Sequence, residues 1–156
     1  MYSHMQAIIG LFRRGYTGKT DTLNLLIDLL ESTASASPMP SPQPEGHDRR
    51  KVVRYRGLTV GVCTPGDSED EVRENRDFFE QHACDVGVTA ARSWGRTHWV
   101  MHDFAKRRGA RMIWVKKRVV DGAFAAANQQ QARELLALVE QEAAQQAVLR
   151  EASPVL

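Results

Sequence analysis

Three consecutive residues, Gly18-Lys19-Thr20, stand between an apolar run, Ile8-Ile9-Gly10-Leu11-Phe12, and a leucine-rich segment at helical spacing, Asp21 to Glu31. A strand that breaks into a glycine-containing turn and then a helix brings unpaired N–H groups and the positive end of a helix dipole to one place. Glycine frees the backbone to curl so that successive N–H groups face an anion. In that setting the amides of Gly15, Tyr16, Thr17, Gly18, Lys19 and Thr20 would cradle phosphates. Lys19 would reach the outer phosphates, and the Thr20 hydroxyl would ligate Mg²⁺.

Gly18-Lys19-Thr20 and its flanks resemble the phosphate-binding loop of the P-loop NTPase superfamily. The usual spacing, G-x-x-x-x-G-K-[ST], puts its first glycine at position 13. Arg13 stands there, and Gly15 follows two residues later. A second segment, Thr64-Pro65-Gly66, ends a strand after a hairpin and resembles the Asp-x-x-Gly segment of P-loop GTPases. Cys63 occupies the position of its Asp. A neutral thiol suits Mg²⁺ poorly, because Mg²⁺ takes hard oxygen ligands. The Asn-Lys-x-Asp tetrapeptide that reads guanine does not occur. The corresponding strand ends in Thr89-Ala90-Ala91-Arg92. The resemblance therefore implies ATP, or another NTP, with Mg²⁺.

Three further side chains fall at strand ends, where open α/β sheets bind ligands. Asp67 is the carboxylate nearest the Thr-Pro-Gly turn. It could orient a water of the Mg²⁺ ion or act as base toward an acceptor hydroxyl, and a helix cap is the competing reading. Arg92 and Arg96 flank Ser93-Trp94-Gly95 in a loop before a helix, where arginines can clamp phosphates and stabilise charge in phosphoryl transfer. Trp94 could stack on a base or pack within its loop. His98 and His102 lie one helical turn apart beside Asp103, but no third metal ligand is evident.

The elements that must position these residues follow from periodicity. Gln6 to Phe12 reads as a buried strand, and Gly18 to Leu30 as a helix burying Leu23, Leu26, Ile27 and Leu30, widened by Leu25 and Leu29. Val52 to Cys63 reads as two strands joined at Arg56-Gly57. Ser68 with Glu71 matches a capping box for a helix to about His82, with Val72, Phe78 and Phe79 inward. Cys84 to Ala91 is the next strand. A helix capped by Thr97 carries Trp99, Val100, Phe104 and Ala105 and stops at Gly109. Trp99 and Phe104 are expected on its buried side. Met112 to Val115 is a strand continuing toward Val120. A long helix, roughly Gly122 to Glu151, aligns Phe124, Ala127, Leu135, Leu138, Val139 and Val148. The order implies a three-layer α/β/α sandwich with a mostly parallel sheet of about five strands.

A chain of 156 residues, 42% hydrophobic, suits one domain, residues 1–156, with a real core. Residues 32–50 break the pattern with Pro and Ser and no periodicity, and read as a flexible insertion. No apolar run approaches the roughly 20 residues that span a bilayer, so no membrane partner is expected. Met1 to Gln6 lacks the form of a signal peptide. Cys63 and Cys84 read as reduced core thiols, and together these features suggest a cytoplasmic protein.

The net charge of +2 hides basic clusters at Arg13-Arg14, Arg49-Arg50-Lys51 with Arg54 and Arg56, Lys106-Arg107-Arg108 and Lys116-Lys117-Arg118. Convergent, they would favour a polyanion; separate, they are solvated helix ends and strand edges. Two function classes stand on these residues. One is a P-loop NTPase or a small-molecule or nucleotide kinase. The other is a degenerate P-loop regulatory or interaction module that meets a protein partner or grips nucleic acid. The long C-terminal helix leaves a homo-oligomer open, although its polar Asn128-Gln129-Gln130-Gln131 run interrupts a continuous seam.

Overall fold

A computed structural model describes residues 5–14, 18–33, 36–38, 46, 48–93 and 95–152. The elements are β1 (Ala7–Phe12), α1 (Lys19–Glu31), β2 (Ala36–Pro38), β3 (Arg50–Tyr55), β4 (Leu58–Cys63), α2 (Glu69–Gln81), β5 (Val86–Ala91), α3 (Arg96–Arg108), β6 (Arg111–Lys116) and α4 (Phe124–Ala152). The fold is α/β, with one sheet in the order β2-β3-β4-β5-β1-β6. β4, β5, β1 and β6 run parallel, and β2 and β3 are antiparallel additions at one edge. β3 and β4 meet at Arg56 (φ 49°) and Gly57 (φ 83°), the paired positive angles of a two-residue hairpin turn.

Side chains of a strand alternate between faces, so β1 feeds two cores. Ile9 and Leu11 join Leu23, Leu26, Ile27 and Leu30 of α1 and Ala132, Leu135 and Val139 of α4. Ile8 instead joins Val72, Phe78 and Phe79 of α2 and Val100, Met101 and Phe104 of α3. The four α1 residues are fully buried, and each contributes about 1.5–3 kcal/mol through burial. They recur at three and four residues, which is why this stretch forms a helix and why that helix lies flat on the sheet. In α4 the stripe is Ala132, Leu135, Val139 and Ala143.

Several expectations need correction. The sheet has six strands rather than about five, because Ala36–Pro38, inside the segment read as a flexible insertion, pairs with Tyr55, Arg54 and Val53 of β3. A proline is tolerated there because an edge strand leaves some N–H groups unpaired. Most of the rest of that insertion lies outside the described residues. Trp99 is 50% exposed rather than core, and Met101 takes the inward place. Phe124 and Val148 are exposed as well. α4 starts at Phe124, after a turn at Gly122. Asn128 and Gln131 are buried, and Gln131 donates to the Lys116 carbonyl (2.7 Å) and accepts from the Arg118 N–H (2.9 Å). Those bonds end β6 at Lys116 and turn the chain away from the sheet, so the strand does not continue toward Val120.

Candidate functional site

β1 delivers the chain to Arg13 at the carboxyl edge of the sheet, and α1 starts at Lys19. Gly15, Tyr16 and Thr17 lie outside the described residues. Gly18 precedes the helix with φ +85°, a left-handed angle that disfavours side chains, and its carbonyl accepts the Thr22 N–H at 2.9 Å. Thr20 sits in the first turn, its hydroxyl 3.5 Å from Asp48 Oδ1.

Lys19 is only 4% exposed. Its Nζ donates to the Arg13 carbonyl at 2.5 Å and lies 3.4 Å from Asp67 Oδ1. Burial pulls the ammonium's pKa below its usual value of 10.5. Asp67 opposes that shift, and the charge of Arg92 adds to it. A buried ammonium with a partly exposed counter-ion and a second cation close by is incompletely neutralised. It attracts an anion.

Asp67 reaches Lys19 because of how the Thr-Pro-Gly turn packs. An ideal Cβ on Gly66 would stand 2.3 Å from the Ala90 carbonyl oxygen, so only glycine lets the turn lie across the end of β5. Asn75, fully buried on α2, pins that turn. It donates to the Pro65 carbonyl (2.7 Å) and to Thr89 Oγ1 (2.9 Å), and accepts from Arg50 Nε (2.9 Å). The helix cap falls to Ser68, which forms the expected capping box with Glu71. Asp67 therefore keeps its carboxylate free for Lys19. The role of Asn75 has no sequence signal beyond a polar residue on an otherwise apolar helix stripe.

Arg92 is near enough to Lys19 to act on its charge, whereas Arg96 points elsewhere. Arg96 is 71% exposed, pairs with Glu69 Oε1 at 3.3 Å and lies over the Trp99 ring. Among the described residues it makes no contact with Lys19 or Asp67. Trp94 lies outside the described residues. Thr97, expected as a cap, sits inside α3, and its hydroxyl accepts the Arg92 N–H at 3.0 Å, which closes the loop that carries Arg92.

Next to Thr20 in α1's first turn is a carboxylate that sequence reasoning missed. Asp48 Oδ1 accepts from the hydroxyls of Thr20 (3.5 Å) and Thr64 (3.0 Å), and Thr64 Oγ1 accepts the Arg49 N–H at 2.9 Å. Cys63 beside it is fully buried, and burial pushes its thiol well above its usual pKa, so it offers no anionic ligand. Asp48 follows a Pro/Ser-rich stretch with no motif spacing, and its only trace in the sequence is a lone acid ahead of a basic run.

The loop is braced from β6. Arg13 Nη1 donates to the Lys117 carbonyl (3.1 Å), and the buried Lys117 donates its Nζ to the Arg118 carbonyl. Thr22 donates its hydroxyl to Asn128 Oδ1 at 3.2 Å. A side chain on Gly18 would meet Asn128 at 3.1 Å.

The basic clusters are mostly consumed within the fold. Arg49 pairs with Asp28 (3.1 Å), Arg50 with Glu74 (3.1 Å), Lys51 with Glu31 (3.4 Å) and Arg118 with Glu134. His98 stacks on Trp114 at 3.8 Å, and no group of three or more metal-ligating side chains occurs among the described residues. No helix there is long and apolar enough to cross a membrane. Comparison with protein-family models, with curated proteins and with solved structures finds no match for this chain.

Proposed function

We propose that this chain binds ATP with Mg²⁺ at the β1–α1 turn and hydrolyses it or transfers its terminal phosphoryl group to a small or nucleotide-like acceptor. The accompanying fold reading is a three-layer α/β/α sandwich of the P-loop NTPase kind. The observation that carries this reading is the buried Lys19 ammonium, first residue of α1, held between the Arg13 carbonyl and Asp67 with Arg92 nearby. Three chain segments, after β1, β4 and β5, bring charge to that one point.

Lys19 neutralises the outer phosphates, and the amides at the start of α1 support them. Arg92 adds positive charge where it builds during transfer. Asp67 exchanges Lys19 for the acceptor or its water and takes the proton. The hydroxyls and carboxylate around Thr20 are hard oxygen donors, which fit Mg²⁺. Bound there, the ion would supply charge neutralisation at the phosphate oxygens. The nucleic-acid alternative draws little support, since Arg49, Arg50 and Lys51 are all paired internally.

Isothermal titration of the wild type and Lys19→Ala with ATP and GTP, each with and without Mg²⁺, tests the proposal. Wild-type binding of ATP that Lys19→Ala weakens at least about tenfold supports it. No binding by the wild type overturns it. Binding to DNA or RNA with a steep salt dependence would favour the interaction module.

A further inference from the structure

We infer that the divalent cation is held by Thr20 together with Asp48, and that Asp67 is not its carboxylate ligand. This rests on the nucleotide reading above and specifies the part of the site that the sequence left to Cys63 or Asp67.

The charge environment of Asp48 is the starting point. Three consecutive cations follow it, Arg49, Arg50 and Lys51, and each turns to another acid: Asp28, Glu74 and Glu31. Among the described residues Asp48 forms no ion pair, and its Oδ1 has only the two hydroxyl donors, Thr20 and Thr64. A half-buried carboxylate that faces hydroxyls and pairs with no cation among the described residues is a fitting partner for a bound cation.

The other two acidic candidates are removed by chemistry and placement. Cys63 is buried, and its thiol keeps its proton. Asp67 is engaged by Lys19 at 3.4 Å, whereas Asp48 is the carboxylate that meets the Thr20 hydroxyl. Mg²⁺ takes oxygen ligands, retains several waters and needs only one or two protein carboxylates beside substrate phosphates. Thr20 and Asp48 meet that requirement from two different elements, the first turn of α1 and the segment before β3. Thr64 orients Asp48 rather than binding the ion. Its hydroxyl is fixed at both ends, accepting from the Arg49 N–H and donating to Asp48.

The test uses Mn²⁺ as a spectroscopic stand-in for Mg²⁺. Electron paramagnetic resonance measures Mn²⁺ affinity for the full chain with a non-hydrolysable ATP analogue, in wild type, Asp48→Asn and Asp67→Asn. Thermal melts check folding, and Asp48→Glu tests whether a carboxylate alone restores the site. The analogue's affinity in EDTA is measured for every variant. The expected result is that Asp48→Asn weakens Mn²⁺ at least about tenfold while its own analogue affinity in EDTA holds, and that Asp67→Asn leaves Mn²⁺ affinity unchanged within about twofold. Partial recovery in Asp48→Glu also supports the assignment. Unchanged Mn²⁺ affinity in a folded Asp48→Asn, with wild-type nucleotide binding intact, overturns this inference alone. A loss confined to Asp67→Asn does the same. Failure of the wild type to bind the analogue both in EDTA and with Mn²⁺ overturns the nucleotide reading and the cation assignment together.

Discussion

The Nζ of Lys19 sits 3.4 Å from Oδ1 of Asp67 and joins the first turn of α1 to the segment after β4. The lysine is 4% exposed and the carboxylate 42%, so the pair is lopsided: a buried cation with a wet partner. Such a partner screens the ammonium only in part. It is also free to move aside when a stronger anion arrives.

Asp67 should therefore act as a rival to phosphate in the free protein. Asp67→Asn removes that rival, and ATP affinity in EDTA is expected to rise about two- to fivefold, the size of an exposed ion pair. Turnover should fall in the same variant, because the acceptor loses its base. The check is calorimetry alongside a phosphate-release assay. A variant that binds ATP more weakly than wild type would show that Asp67 positions Lys19 instead of competing for it.

Proton linkage gives a second handle on Lys19. Its pKa is lowered from 10.5 when folded, so in the interval below 10.5 the unfolded chain holds more protons at this site than the folded one. Stability from this group accordingly rises as the pH rises through that interval. Phosphate does the opposite, since a nearby anion raises the lysine pKa. ATP binding in that interval should take up a proton and weaken as the pH climbs. Calorimetry in buffers of differing ionisation enthalpy measures the uptake directly, and Lys19→Met should abolish it. Equal uptake in Lys19→Met would place the linked proton elsewhere.

Periodicity made the parallel core legible, because apolar alternation and three-and-four spacing come from burial itself. Ser68 and Glu71 were readable for the same reason: a capping box is a local bond pattern. Lateral strand order is different. β5 lies between β1 and β4, and no alternation pattern encodes a neighbour. β2 was invisible because three residues pair mainly through backbone groups. Asp48 was invisible because its meaning depends on where Arg49, Arg50 and Lys51 turn, and that is settled by acids on α1 and α2. Trp99 and Phe124 misled because size and apolarity suggest a core, while helix phase decides exposure.

Both thiols should be inert in the native protein. Cys63 is fully buried with its pKa well above the usual value, and burial pushes Cys84 up to about 12. The thiolate is the reactive species, so neither cysteine should react with a disulfide reagent at neutral pH while the chain stays folded. Both should react after denaturation. The check is the time course of labelling with and without urea. Rapid native labelling of Cys63 would reopen it as a metal ligand.

Gly66 is where the fold and the site depend on one missing side chain. A Cβ there would meet the Ala90 carbonyl oxygen at 2.3 Å and the Ala90 Cβ at 2.7 Å. Backbone cannot swing away as a flexible side chain can. Gly66→Ala is therefore expected to cost about 1–3 kcal/mol, read from urea unfolding. It should also weaken the Lys19–Asp67 pair by lifting the turn off β5. Adding Ala90→Gly removes the clash with the Ala90 Cβ and leaves those with its carbonyl oxygen and carbon, so the double variant should recover little of the loss. Full recovery would mean that the methyl group of Ala90, and not its carbonyl, sets the close approach. The proton uptake on ATP binding gives an independent reading, since a displaced Asp67 leaves the Lys19 pKa lower still in the free protein and makes that uptake larger.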